Sequence, residues 1–208
     1  MKDKFTILRK NFGGGTMWEK TTEETLRYLQ EYIDKTQGEI LVIAIDGRSA
    51  SGKTTLANLL GKQLGARVVH MDDFFLPMEL RTKERLEMPG GNVHYERLQE
   101  EVLPFIQKEQ AFSYVRFDCG TMALGEHIHL GAAPITIVEG AYSCHPILGD
   151  YMGLKIFLDI DSKSQMERII ARNGEEKAKE FQNRWIPMEE AYFEAFSIQE
   201  NADVVLKS

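Results

Sequence analysis

The stretch ILVIAIDGRSASGKTT, residues 40–55, decides the fold. Its first part, Ile40 to Ile45, is a continuous apolar run rich in β-branched residues. A run apolar on both faces suits a strand buried between two layers of helices. After Asp46 comes Gly47-Arg48-Ser49-Ala50-Ser51-Gly52-Lys53-Thr54, a full match to G-x-x-x-x-G-K-[ST], followed by a helical pattern up to Leu64. Gly47 and Gly52 let the backbone turn so that N–H groups of Ser49, Ala50 and Ser51 point inward, a nest for phosphate oxygens. The helix that begins at Thr54 and Thr55 adds the positive end of its dipole. Lys53 is placed to reach the β- and γ-phosphates, and Thr54 to put a hydroxyl on Mg²⁺. The expected ligand is a nucleoside triphosphate, read as ATP, with Mg²⁺ as the metal.

Working outward, further apolar runs occur at VVHM (68–71), ITIV (135–138), KIFLDI (155–160) and DVVL (203–206). Helical patterns intervene at 54–64, 95–108, 164–172 and 188–196. Strands alternating with helices predict right-handed crossovers and a mainly parallel sheet. The fold class is therefore α/β: a doubly wound, mainly parallel P-loop sheet of five strands, helices on both faces. The body spans 39–208. Within it, residues 74–133 read as an insertion at the carboxyl ends of the strands, where open α/β sheets bind ligands, and 162–187 as a lid. Residues 1–38 form an N-terminal extension. Its first fifteen residues read as irregular and end in a Gly13-Gly14-Gly15 linker. A helix follows at 22–35, with Leu26, Leu29 and Ile33 on one face and Gly38 as its stop. That face can pack on the body or on a second copy, which leaves a homo-oligomer open.

The chain has 208 residues, 43% hydrophobic and 27% charged, the composition of a globular domain with a sizeable core. Its 25 Lys and Arg against 32 Asp and Glu give a net charge of −7. That balance argues against a broad basic surface for nucleic acid. No apolar run approaches the roughly 20 residues of a membrane span. Two cysteines, Cys119 and Cys144, cannot build a disulfide framework; they read as semi-buried, unreactive thiols. A cytoplasmic setting without a membrane partner is expected. The histidines of GEHIHLG, His127 and His129, read as the rim of a β-hairpin rather than a metal pair, for want of a third ligand.

Several side chains converge on the phosphate loop in this reading. The second strand ends in His70-Met71-Asp72-Asp73-Phe74-Phe75. A carboxylate there, Asp72, can take the proton from an attacking hydroxyl. The third strand ends in Val138-Glu139-Gly140, placing Glu139 to hold the metal directly or through water. Arg168 and Arg172, four apart on one helical face, are placed to neutralise charge on the transferred phosphoryl group. Arg184, in NRWIP, is a weaker candidate of that kind. Phe181, Trp185, Tyr192, Phe193 and Phe196 recur at helical spacing and read as core.

With these residues together, the chain resembles the uridine kinase-like family of small-molecule kinases, from about Val42 to Val205. DGRSASGKTT resembles the family P-loop, and MDDFF its D-S-F-Y stretch. The resemblance implies a catalytic base at Asp72, a flanking aromatic at Phe75, and a magnesium-linked glutamate at Glu139. It also places Arg168 and Arg172 in the lid and Ala202-Asp203 near the adenine. Three features depart from the pattern. Where the family carries N-F-D-H-P this chain has Asn92-Val93-His94-Tyr95, with His94 in place of the ribose-gripping aspartate. YVRFDCG has no clear counterpart of the pyrimidine-reading histidine. The lid lacks the dense R-R-x-x-R-D pattern.

The expected activity is ATP-dependent phosphorylation of a hydroxyl on a small metabolite, a nucleoside such as uridine or cytidine being the first reading. Pantothenate and a sugar phosphate are the alternatives, and a nucleotide-dependent regulator is the rival class. The expected acceptor site lies between Phe74 and Phe75, the Asn92–His94 loop, and the segment from Tyr114 to Asp118. The aromatic residues there serve either as insertion core or as a stacking slot.

Overall fold

The computed structural model describes residues 4–9, 18–35 and 41–208. The strands are β1 (Lys4–Arg9), β2 (Trp18–Thr21), β3 (Leu41–Gly47), β4 (Arg67–His70), β5 (Phe112–Asp118), β6 (Ala123–Leu130), β7 (Ile135–Glu139), β8 (Leu154–Asp159) and β9 (Val204–Lys207). The α-helices are α1 (Thr22–Lys35), α2 (Lys53–Leu64), α3 (Lys83–Glu87), α4 (Tyr95–Glu101), α5 (Leu103–Ile106), α6 (Ser162–Asn173), α7 (Glu175–Glu180) and α8 (Ile186–Phe196). The main sheet runs β2-β1-β9-β8-β3-β7-β4. Its five strands from β9 to β4 are mutually parallel, the expected doubly wound core.

β3 lies between β7 and β8, and every residue from Leu41 to Gly47 is buried. The apolar run therefore packs on both faces, each Leu or Ile contributing roughly 1.5–3 kcal/mol by leaving water. One core joins Ile43, Ile45, Leu56, Leu60, Ile156 and Leu158 with Leu29 and Ile33 of α1. The apolar face of α1 thus lies against the body. A second core, on the other side, joins Val42, Val69, Val138 and Phe157 with Tyr192 and Phe193 of α8 and with the insertion.

The extension departs from expectation. Residues 4–9, read as irregular, form β1, which pairs antiparallel with β9 and with β2. The Gly13–Gly15 linker, the Gly38 stop and Ile40 lie outside the described residues.

The helix expected over 95–108 is broken into α4 and α5. Pro104 has no N–H to continue the ladder, and Val102 leaves helical geometry at φ −124°. β5 and β6 form the hairpin anticipated around His127 and His129, whose rings stack 6.4 Å apart. The base of this hairpin is braced by Arg67, 7% exposed and without a carboxylate among its hydrogen-bond partners. Its guanidinium donates to Thr136 Oγ1 (2.7 Å) and to the carbonyls of Gly131 and Gln110, and it lies over the Phe112 ring. Among the described residues no helix is long and apolar enough to cross a membrane.

Candidate active site

The carboxyl ends of β3, β4 and β7 bring the predicted chemistry together. At Gly47 the chain turns so close to β8 that a Cβ would fall 2.1 Å from the Leu158 carbonyl oxygen, at φ +132°. Only glycine fits there. Gly140, at φ +134°, does the same for β7: a Cβ would stand 2.7 Å from that of Met71. The end of β7 is thereby held against the turn that carries Asp72.

Behind the loop, Asp46 is fully buried. It accepts hydrogen bonds from the N–H groups of Gly47 (2.7 Å), Tyr142 (3.1 Å) and Cys144 (2.9 Å) and from the Tyr192 hydroxyl (2.8 Å). Burial pushes its carboxyl upward, and these donors oppose the shift. Tyr142 holds a left-handed backbone, φ +74°, to make its bond. One carboxylate thus ties the start of the phosphate loop to the segment after β7.

Lys53 folds back over the loop, its ammonium donating to the carbonyls of Gly47 and Arg48, both at 2.8 Å. Thr54 Oγ1 donates to Glu139, 3.1 Å from Oε1. His70 Nδ1 meets the same Oε1 at 2.6 Å, and that bond raises the imidazole pKa against the effect of burial. A hydroxyl and a carboxylate facing each other at the loop are hard oxygen donors of the type Mg²⁺ takes, so the residues present fit that ion. Asp72 lies in the one-turn 3₁₀ helix Met71–Phe74, its side chain open to solvent. The enclosing protein raises its carboxyl pKa, Glu139 raises it further, and Lys53 opposes both.

The first half of the loop is held from the other side by the C-terminal helices. Arg48 pairs with Asp159 (2.8 Å) and with Glu190 of α8. Ser49 gives its N–H (2.9 Å) and its hydroxyl (2.5 Å) to the two oxygens of Glu189, a residue only 4% exposed. Gln165 of α6 donates to the Ser49 carbonyl (3.1 Å), and Arg168 to that of Ala50 (3.2 Å).

No family model matches the chain. Uridine kinase-like protein 5 of Arabidopsis thaliana is 29% identical over 153 residues, covering 68% of this chain and 32% of the plant protein. The uridine kinase of Chloroflexus aurantiacus is 27% identical over 149 residues, 67% of this chain and 70% of its own length. The chain thus spans about a third of the plant relative it matches. The structure of a possible uridine kinase from Bacillus stearothermophilus superposes with a TM-score of 0.67 at 23% identity, covering 88% of this chain and 97% of the other. Over about two thirds of its length the chain is similar to uridine kinases.

The loop from Gly47 to Thr55, Asp72, Glu139 and Arg168 lie at the same edge of the sheet, Arg168 holding the Ala50 carbonyl and Ser208 Oγ. Arg172 does not join them. It donates to Asn173 Oδ1 (2.8 Å) and covers the Phe181 ring on the exposed side of α6. Asn92–His94 does run beside Phe74–Phe75: Leu76 N donates to Asn92 O, and His94 N to Phe74 O at 2.7 Å.

Phe74 and Tyr114 are insertion core, 0% and 2% exposed with rings 4.9 Å apart, so of that aromatic pair in FF only Phe75 remains partly open. The Tyr114 hydroxyl and Arg116 both bond Asp73, which is buried; the second aspartate of the pair is a structural anchor. Asp118 is spent on the hairpin turn, accepting from Gly120 N at 2.7 Å. Cys119, in the same turn, is exposed rather than semi-buried. His94 pairs with Glu96 at 3.1 Å. Glu189 was legible only indirectly: it shares the helical stripe of Tyr192, Phe193 and Phe196, where a carboxylate has no apolar reason to stand.

Proposed function

We propose that the protein transfers the γ-phosphoryl group of ATP to a hydroxyl of a small metabolite. The observation that carries this reading is Asp72 at the end of β4, beside a phosphate loop whose Thr54 hydroxyl faces Glu139 at 3.1 Å. Lys53 and the loop N–H groups bind and orient the triphosphate. Thr54 and Glu139 would hold Mg²⁺, which when bound neutralises charge on the phosphates. Asp72 accepts the proton of the acceptor hydroxyl; a carboxyl pKa above the ordinary range makes it a stronger base than a free aspartate. Arg168, on α6, holds the Ala50 carbonyl at the loop and in this reading helps to exclude water.

The relatives' names favour a pyrimidine nucleoside as acceptor. Against that stands His94, paired with Glu96 where the family would present a ribose-gripping carboxylate. ADP release with Mg·ATP is to be followed against uridine, cytidine, pantothenate and sugar derivatives, with Asp72→Asn as control. Stimulation by an acceptor that disappears in the Asn variant supports the reading. Tight ATP binding with no acceptor-dependent turnover on a broad panel moves the protein to the regulator class.

A further inference from the structure

On the face of the sheet beneath α2, Val68 of β4 and Ile137 of β7 stand in register and share the core of Leu56 and Leu60. Side chains alternate along a strand, so the next pair on that face is His70 and Glu139. The apolar column thus ends in a polar pair beside the first turn of α2, which carries Thr54. Glu139 is among the buried charged residues, and a carboxylate taken out of water needs donors. Thr54 Oγ1 supplies one, divided between Oε1 at 3.1 Å and Oε2 at 3.3 Å. His70 supplies the short bond, 2.6 Å from Nδ1 to Oε1. An ionised carboxylate only accepts, so Nδ1 carries the proton of that bond.

The main chain at Glu139 is already fixed. Gly140 N donates to the Ile45 carbonyl at 3.0 Å, and Gly140 lies against Met71. A glutamate still keeps three side-chain torsions, and the backbone alone leaves its carboxylate free to turn. The bonds from His70 and Thr54 set its pose. They fall unequally: Oε1 takes the imidazole and the nearer share of the hydroxyl, Oε2 only the longer share. Without His70, Glu139 would rest on one divided bond from a hydroxyl that is itself assigned to the ion. Groups that hydrogen-bond a metal ligand fix its orientation, and their loss lowers metal affinity.

We infer that His70 is a positioning residue for the divalent ion: its Nδ1–H holds Glu139 in the pose from which that carboxylate and the Thr54 hydroxyl take Mg²⁺. This rests on the nucleotide and Mg²⁺ part of the proposed function, not on phosphoryl transfer, and adds a residue to it. The ring acts through Glu139 rather than on the nucleotide.

The test loads the whole chain with a nonhydrolysable ATP analogue and titrates Mn²⁺, with free Mn²⁺ read by electron paramagnetic resonance. His70→Phe keeps a ring but has no donor, and should raise the Mn²⁺ Kd at least about tenfold. His70→Asn, whose amide nitrogen stands near the place of Nδ1, should recover most of that loss. Binding of the analogue in EDTA should stay within about twofold of wild type in both, because it does not report the metal contact. Thermal melting shows whether each variant folds, and His70→Leu carries the same comparison where the Phe variant does not. Equal losses of metal-free and Mn²⁺-dependent binding would make His70 a brace of the loop and overturn the inference. So would an unchanged Mn²⁺ affinity in a folded variant without the donor. The kinase reading fails separately. A weakened Mn²⁺ site in His70→Phe with no acceptor turned over by the wild type supports the positioning role and sinks phosphoryl transfer. Acceptor turnover with an Mn²⁺ affinity indifferent to His70 does the reverse.

Discussion

Lys53 and Asp46 show how single residues divide the labour of one loop. Lys53 rests on two loop carbonyls, so its ammonium is already at the phosphate cradle and needs only to exchange partners. In the proposed reaction it would face phosphate before and during transfer. Lys53→Ala should therefore weaken ATP binding at least about tenfold and also lower kcat, a joint loss read from nucleotide titration and steady-state rates. Asp46, by contrast, is fully buried behind the loop. Its four donors come from three separate segments, and Asp46→Asn would turn an N–H toward one of them. We expect that variant to lose about 2–3 kcal/mol of stability, as a lower urea midpoint, because a buried donor is left unsatisfied. Normal stability in Asp46→Asn would show that the loop does not depend on this carboxylate.

At the scale of elements, the loop is clamped by α6 and α8, through Gln165 and Arg168 on one helix and Glu189 and Glu190 on the other. Glu189 spends both oxygens on Ser49, so the two should act as one unit. Glu189→Ala and Ser49→Ala are each expected to weaken ATP binding, and the double variant to lose little more, with a coupling of about 1 kcal/mol or above. Additive losses would show that the contact does not position the loop.

The five parallel strands and the phosphate loop were legible because apolar runs and a glycine motif encode them locally. The clamp was not, since it joins residues some 140 positions apart whose types are unremarkable alone. Nor was β1: KFTILR is too short and mixed to be told from coil until β9 offers it an edge. The arginines show the same limit. The helical spacing of Arg168 and Arg172 was readable, but which one faces the loop depends on how α6 rotates against it.

Across the whole molecule, His145 joins the insertion to the body. Its ring packs on Tyr95 of α4 at 4.5 Å and on Tyr192 and Phe196 of α8 at 5.5 and 4.7 Å. Nε2 bonds the Pro89 carbonyl at 3.0 Å, and Nδ1 accepts from Ile147 N at 3.1 Å. That pattern requires a neutral ring with its proton on Nε2. Burial lowers the imidazole pKa, the Pro89 bond opposes this, and the nearby Arg85 charge lowers it further. The folded form therefore binds the proton less readily than the unfolded chain, whose histidine titrates near 6.5. Stability from this group is complete above that value and falls as pH drops through it toward the lower folded pKa. His70 shifts in the opposite direction, and the buried acids Asp46 and Glu189 are raised, so the wild-type curve alone cannot isolate the effect. The informative quantity is the difference between wild type and His145→Phe, which keeps an aromatic ring but cannot titrate. Followed by thermal unfolding from pH 7.5 to 5, the gap between the two should shrink as pH falls, because only the wild type has a proton to take up. A gap that stays constant would mean that His145 is no keystone sensitive to protonation, and that the insertion is held by the aromatic stack alone.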